Sequence, residues 1–216
     1  MIYRPPSTSH LDLVYHDATL LVVNKPAGLL AVRGRGADKQ DCLATRIQRE
    51  FPDVLVVHRL DMATSGLMLF ARGAEMQRRL SQIFRAREVQ KRYVAVVVGK
   101  LEQAIGEVNL PIVADWPNRP LRKIDVESGK ASLTRFRLLA HDAVTDTSRV
   151  ELEPVTGRTH QLRVHMGAIG HPIVGDALYG VVDDASGERL LLHASRMGFV
   201  HPHSKELLNL FSESSF

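Results

Sequence analysis

The 216-residue sequence predicts an α+β fold carried by a large, mostly antiparallel sheet. Three observations predict it. Strand-like stretches outnumber helix-like ones. They do not alternate with helices in the strict rhythm of a doubly wound sheet. The stretch 105–130 is broken by Pro111, Pro117, Pro120 and Gly129, so it reads as a long irregular connection with short strands rather than a helical crossover. The length suits one domain, or one domain with a small appendage.

Taken in order, residues 11–24 read as two short strands around a turn at His16–Thr19. A Pro/Gly loop follows, with Pro26, Gly28, Gly34 and Gly36. Asp41 is placed to cap a short helix whose apolar face is Leu43, Ile47 and Phe51. Val54–Val57 and Gly66–Ala71 read as strands, which makes His58 to Ser65 the loop between them. Met76, Leu80, Ile83 and Phe84 recur at helical spacing, and this puts the arginines of that helix on its other face. Tyr93 to Val98 is apolar on both faces, as a central strand is, with Tyr93 at its start. Phe136–Ala140 and Arg149–Glu153 are further strands. Leu162, His165, Met166 and Ile169 give a helix from His160, stopped by Gly170 and Pro172. Arg189–His193 and Met197–His201 are expected to close the chain as a strand pair.

Composition excludes several classes. Apolar residues make up 44% and charged residues 24%, too balanced for a disordered chain. The single cysteine, Cys42, excludes an internal disulfide framework and suits a reducing compartment. No apolar run approaches a membrane span, and Met1 to Pro6 lacks the apolar stretch of a signal peptide, so a cytoplasmic protein is expected. The formal net charge is +4, and it is concentrated. Between Arg72 and Arg92, seven basic residues including Arg78, Arg79 and Arg85 face only Glu75 and Glu88. Arg119, Arg122 and Lys123 lie beside Trp116, and Arg33, Arg35 and Lys39 sit in the Gly-rich loop. Positive charge next to flat side chains is a nucleic-acid footprint, although a solvated helix face gives the same pattern.

Two stretches carry chemistry. His58-Arg59-Leu60-Asp61 places an imidazole, a cation and a carboxylate in a polar loop held between strands, where catalytic groups tend to sit. A turn in which Asp61 bonds backbone amides, assisted by Thr64 and Ser65, explains the same residues. In Gly157-Arg158-Thr159-His160-Gln161-Leu162-Arg163, the last residue should project near the edge of a buried face and want a carboxylate partner. Asp61 is one candidate, and an ordinary structural ion pair is the other explanation. The ten histidines lack metal-ligand spacing, so no metal site is expected.

His58-Arg59-Leu60-Asp61-Met62-Ala63-Thr64-Ser65-Gly66 resembles the signature of the RluA family of pseudouridine synthases. Further matches follow in order: Asn24 to Leu29, Lys91 to Ala95, Gly157 to His165, Gly170 to Asp176 and Leu190 to Ala194. Six blocks over about 170 residues make a far more specific signal than one motif. Asp115 to Pro120, with Gly129-Lys130, is similar to the dual-specificity branch of that family; the tail Phe211 to Phe216 departs from its expected Pro-rich ending.

The resemblance implies a pseudouridine synthase fold around a central RNA-binding cleft. It implies one catalytic domain over 1–216 without an S4-type module, and a monomer is expected. The implied reaction converts uridine in RNA to pseudouridine without cofactor or metal, on an rRNA hairpin loop and the tRNA anticodon loop. Asp61, Tyr93 and Arg163 are the implied catalytic residues. Asp61 acts as an ionised carboxylate at C1′ or at the uracil ring, and Tyr93 stacks on the flipped base. Arg163 favours the ionised Asp61. Arg59 is suited to fill the space the base leaves. Arg78, Arg79, Arg85 and Arg119 are the expected RNA contacts, and His58 is left a structural role. A synthase with another RNA target, a non-catalytic RNA-binding module and a nucleoside hydrolase remain alternatives; the last is disfavoured by the basic clusters.

Overall fold

The computed structural model describes residues 3–7, 10–180 and 189–216, so the reading of the chain's start falls partly outside them. The chain forms two compact units. The first joins residues 1–91 to 193–215, and the second holds 92–192 with Phe216.

In the first unit, β1 (Leu13–His16) and β2 (Leu20–Lys25) make the predicted hairpin. Asp17 builds its turn. One carboxylate oxygen accepts Thr19 N at 2.6 Å and Leu20 N at 2.9 Å, while the other accepts Tyr15 Oη at 2.9 Å. Burial opposes the charge on Asp17, but these donors outweigh it and hold the carboxyl well below the usual carboxylate range. β2 pairs antiparallel with β4 (Ser65–Arg72), from Leu20 opposite Ala71 to Lys25 opposite Gly66. Both strands read as continuous apolar runs because both of their faces are covered. β3 (Val54–Val56) pairs antiparallel with β4, and β11 (Leu192–Val200) meets it in parallel at Ser65 and Gly66.

Two helices cover this sheet. Helix α1 (Leu43–Glu50) buries Leu43, Ala44 and Ile47. Its cap is Cys42, whose thiol accepts Thr45 N, and not Asp41 as the sequence suggested. Asp41 is taken by Arg46, which bonds both of its oxygens at 2.8 Å. A charged bidentate partner is worth more than one amide. Helix α2 (Ala74–Ala86) lays Met76 and Leu80 onto Leu67, Leu69, Met197 and Phe199, the predicted face. It ends in a left-handed residue, Arg87 at φ 62°, with Glu88 N bonded to Ile83 O at 2.9 Å.

The expected closing pair of strands is corrected here. Residues 192–200 form one uninterrupted strand, paired antiparallel with β12 (Leu207–Phe211). The turn chemistry lies at His201-Pro202-His203-Ser204, where His201 Nδ1 accepts the amides of His203 and Ser204 at 3.0 Å.

In the second unit, four antiparallel strands run in the order β5 (Gln90–Val98), β10 (Thr147–Pro154), β9 (Leu133–Asp142), β6 (Ile105–Asn109). A register shift on β10 between Arg149 and Val150 skips Leu139. The irregular 105–130 segment adds a separate ribbon of β7 (Ile112–Ala114) and β8 (Arg122–Ile124). Helix α3 (Gln161–Ala168) packs on this unit and buries all of Gln161 to Met166. The result is an α+β fold with a mixed, mostly antiparallel sheet.

Candidate active site

Asp61 sits in the loop between β3 and β4, and every neighbour of that loop fixes it. Before it, His58 Nε2 accepts Leu69 N at 2.9 Å, and the ring stacks on Phe84 at 4.6 Å. Burial, with the charge of Lys91, pushes the His58 pKa down to about 3, so the ring is neutral and serves as an acceptor. This is the structural role expected of it. Leu60 is buried next to Asp61. The turn has a main-chain bond: Thr64 N donates to Asp61 O at 3.2 Å. Beyond the turn, Ser65 Oγ lies 2.9 Å from His193 Nδ1. Gly66 has φ 112°, and a Cβ there would meet Ala194 O at 2.4 Å. Only glycine allows β4 and β11 to approach this closely at the end of the loop. Asp61 is left half-buried, and Arg59 is exposed.

Lys25 supports the loop from below, a role the sequence reading missed. Its ammonium is fully buried and donates to Leu29 O at 2.7 Å, Pro26 O at 2.9 Å and Met62 O at 3.1 Å. Three carbonyls match its three protons. Burial drives its pKa down to about 7, against the opposing pull of Asp61. The signal was present in the sequence: a lysine ending the apolar run Leu20 to Val23 must be buried on some partner. Between pH 7 and 10.5 the unfolded chain holds this proton more firmly than the folded one, so stability should rise with pH across that window. Urea unfolding at several alkaline pH values checks this, and Lys25→Met should flatten the rise.

In the second unit, Tyr93 lies on β5 opposite Leu152 and is half-buried. Arg163 is not at the edge of a buried face but inside one. Its Nε and Nη2 reach Asp176 Oδ2 and Oδ1 at 2.7 and 2.6 Å, with side chains 5% and 0% exposed. Asp176 also builds a turn: Oδ1 accepts Leu178 N at 2.9 Å and Tyr179 N at 3.1 Å. Burial resists the charge on Asp176, but Arg163 and these amides hold its carboxyl below the usual range. Tyr179 stacks its ring 5.2 Å from the Arg163 guanidinium. Its hydroxyl accepts Arg122 N at 2.8 Å and lies 2.7 Å from His160 Nδ1. Spacing gives no sign of a partner thirteen residues away, so the Arg163–Asp176 pair was not legible.

The expected RNA contacts separate into two kinds. Arg78 and Arg79 are both held by Glu75, at 2.9 and 2.7 Å, on the solvent face of α2. Arg85, on the last turn of α2, is exposed and makes no ion pair among the described residues. Arg119 stacks over exposed Trp116, 3.5 Å from the ring centroid, in the connection between β7 and β8. Among the described residues no group of three His, Cys, Asp or Glu could hold a metal ion. No helix among them is long and apolar enough to cross a membrane.

Comparison with known proteins identifies the family. The family profile described as RNA pseudouridylate synthase matches residues 19–168. A dual-specificity RNA pseudouridine synthase RluA of Vibrio parahaemolyticus is 47% identical over 218 residues, covering 99% of this chain and 87% of that protein. The protein of the same name from Escherichia coli K12 is 48% identical over 201 residues, covering 93% and 91%. Among solved structures, human RNA pseudouridylate synthase domain containing 1 superposes with a TM-score of 0.81 at 32% identity, covering 99% of this chain and 87% of that one.

Proposed function

The chain belongs to the RNA pseudouridylate synthase family and is an enzyme that isomerises uridine to pseudouridine in RNA; from that premise we propose that it acts on two kinds of RNA loop, an rRNA hairpin and the tRNA anticodon loop. The similarity to dual-specificity synthases along nearly the whole chain supports two substrates. In this reading Asp61 is the catalytic carboxylate. The observation that carries it is the loop itself, a half-buried carboxylate on a turn fixed from both sides and from below.

The reaction breaks N1–C1′, turns the uracil, joins C5 to C1′, loses the C5 proton and takes one up at N1, so the composition is unchanged. Positive charge builds at the sugar as N1 leaves, and a fixed carboxylate stabilises it. Water must stay out, because the detached uracil has to attack again. Tyr93 is assigned to stack on the flipped uracil and Arg163 to favour the charge on Asp61. Arg59 is assigned the gap the base leaves in the RNA. The enzyme is read as a cytoplasmic monomer working without cofactor or metal.

Tritium release from RNA labelled at uridine C5, measured with both stem-loops, tests the activity and the breadth together. Release from both is expected; release from one alone would remove the dual specificity. Arg78, Arg79, Arg85 and Arg119 are read as phosphate contacts, supported by the concentration of charge around them. The double change Arg78→Ala, Arg79→Ala should weaken RNA binding. It should also flatten the plot of log affinity against log salt by roughly 0.7 per lost contact on a single strand. An unchanged slope would mean that Glu75 keeps both guanidiniums in the complex.

A further inference from the structure

Arg87 occupies a position that suits its side chain poorly. It is the residue after α2, with φ 62° and ψ 31°, and the helix closes through Arg87 N to Phe84 O and Glu88 N to Ile83 O. Glycine is the usual residue there because a Cβ strains the left-handed conformation. None of the bonds that close the helix involves the Arg87 side chain. That side chain is exposed and makes no ion pair among the described residues. Strain kept without a structural return points to function.

The surroundings say which function. Phe84, three residues earlier, stacks on His58, three residues before Asp61. The end of α2 therefore lies against the shoulder of the Asp61 loop. Exposed Arg85 and Arg59 flank the same shoulder, and neither makes an ion pair among the described residues. About two helix turns back, the other arginines of α2 share the single carboxylate of Glu75. The first half of the helix thus has a carboxylate engaging its arginines, while its end carries Arg85 and Arg87 without ion pairs among the described residues, next to Glu88.

We propose that Arg87 is a phosphate-binding residue that grips the RNA strand beside the uridine delivered to the Asp61 loop. The inference rests on the RNA-modifying reading above and extends it to one residue. A guanidinium on a fixed, strained corner loses less freedom on contact than one on a flexible loop.

The test uses the full chain and a fluorescent anticodon stem-loop, with anisotropy measured at several salt concentrations. Arg87→Gly should raise Tm, since it relieves the left-handed residue and leaves the helix closure intact. The same change should weaken RNA binding by a factor of about five and make the salt slope shallower by about 0.7. Arg87→Asn, which also tolerates this conformation, should weaken binding equally, and Arg87→Lys should largely restore it. Gly and Asn variants that bind as the wild type does, with the same slope, would overturn the proposal. So would a lower Tm in the Gly variant, which would show that the side chain holds the fold. If wild-type binding itself has no salt dependence, the electrostatic reading of the whole unit fails, and this outcome is read from the wild type alone.

Discussion

Asp61→Asn protein should melt as the wild type does and release tritium from C5-labelled RNA at least about 10³-fold more slowly. Folding survives because the turn at Asp61 is closed by its main-chain carbonyl, with Thr64 N as donor, and an amide keeps the side chain's shape. Turnover does not, because the amide carries no charge to set against the developing positive sugar. A second readout separates this from general damage. Asp61 is what holds the Lys25 pKa up against burial, so its neutralisation should lower that pKa further. The alkaline gain in stability then begins below pH 7 in the variant. Product formation at more than about one-tenth of the wild-type rate would remove Asp61 from the chemistry.

Asp176→Asn should cost about 3–5 kcal/mol of stability, the penalty for breaking a buried ion pair from one side. For a chain of this size that lowers Tm by about 10 °C. Asparagine is the informative choice. Its carbonyl can still accept Leu178 N and Tyr179 N, so the turn persists and the loss reports the charge facing Arg163. The folded Asp176 pKa lies below its unfolded value. Its contribution is therefore complete above the unfolded pKa and disappears as pH falls through the folded one. The wild type and variant should differ most near neutrality and converge in acid, as urea titrations across that range would show. A variant within about 1 kcal/mol of the wild type would mean that the surroundings of Arg163 rearrange to replace the pair.

Much of this was legible in the residues. Period and turn chemistry located β1 to β5, β9, β10 and all three α-helices, because apolar spacing records which faces are covered, while β6 to β8 were read only as short strands within 105–130 and β12 was not read. The fold reading failed where two signals competed. Asp41 looks like a cap until Arg46, five residues on, claims it. The last strands were misplaced because Leu192 to Val200 contains a polar interruption at Ser195-Arg196, yet it is one continuous strand with Arg196 exposed and Ser195 half-buried. At the site, the loop bearing Asp61 stood out by motif. Its support from His193 did not, because that contact with Ser65 joins segments far apart in the sequence. Periodicity carries no information about which buried charge finds which acceptor.

Helix α3 holds a further consequence. Its inner face is polar: Gln161 bonds Thr156, Thr134 and Leu133 O, while His165 bridges Thr134 Oγ1 and Leu110 O. Eight residues are too few to persist as a helix in water, and its buried Leu162, Val164 and Met166 are covered only once the surrounding segments are in place. Three of these bonds, to Leu133 O and Thr134 Oγ1, need β9 in register, and the other two need Thr156 after β10 and Leu110 between β6 and β7. The helix therefore has little stability of its own and depends on those strands. Its amide protons should exchange with solvent only when β9 and β10 come apart, so that helix and strands behave as a single cooperative folding unit.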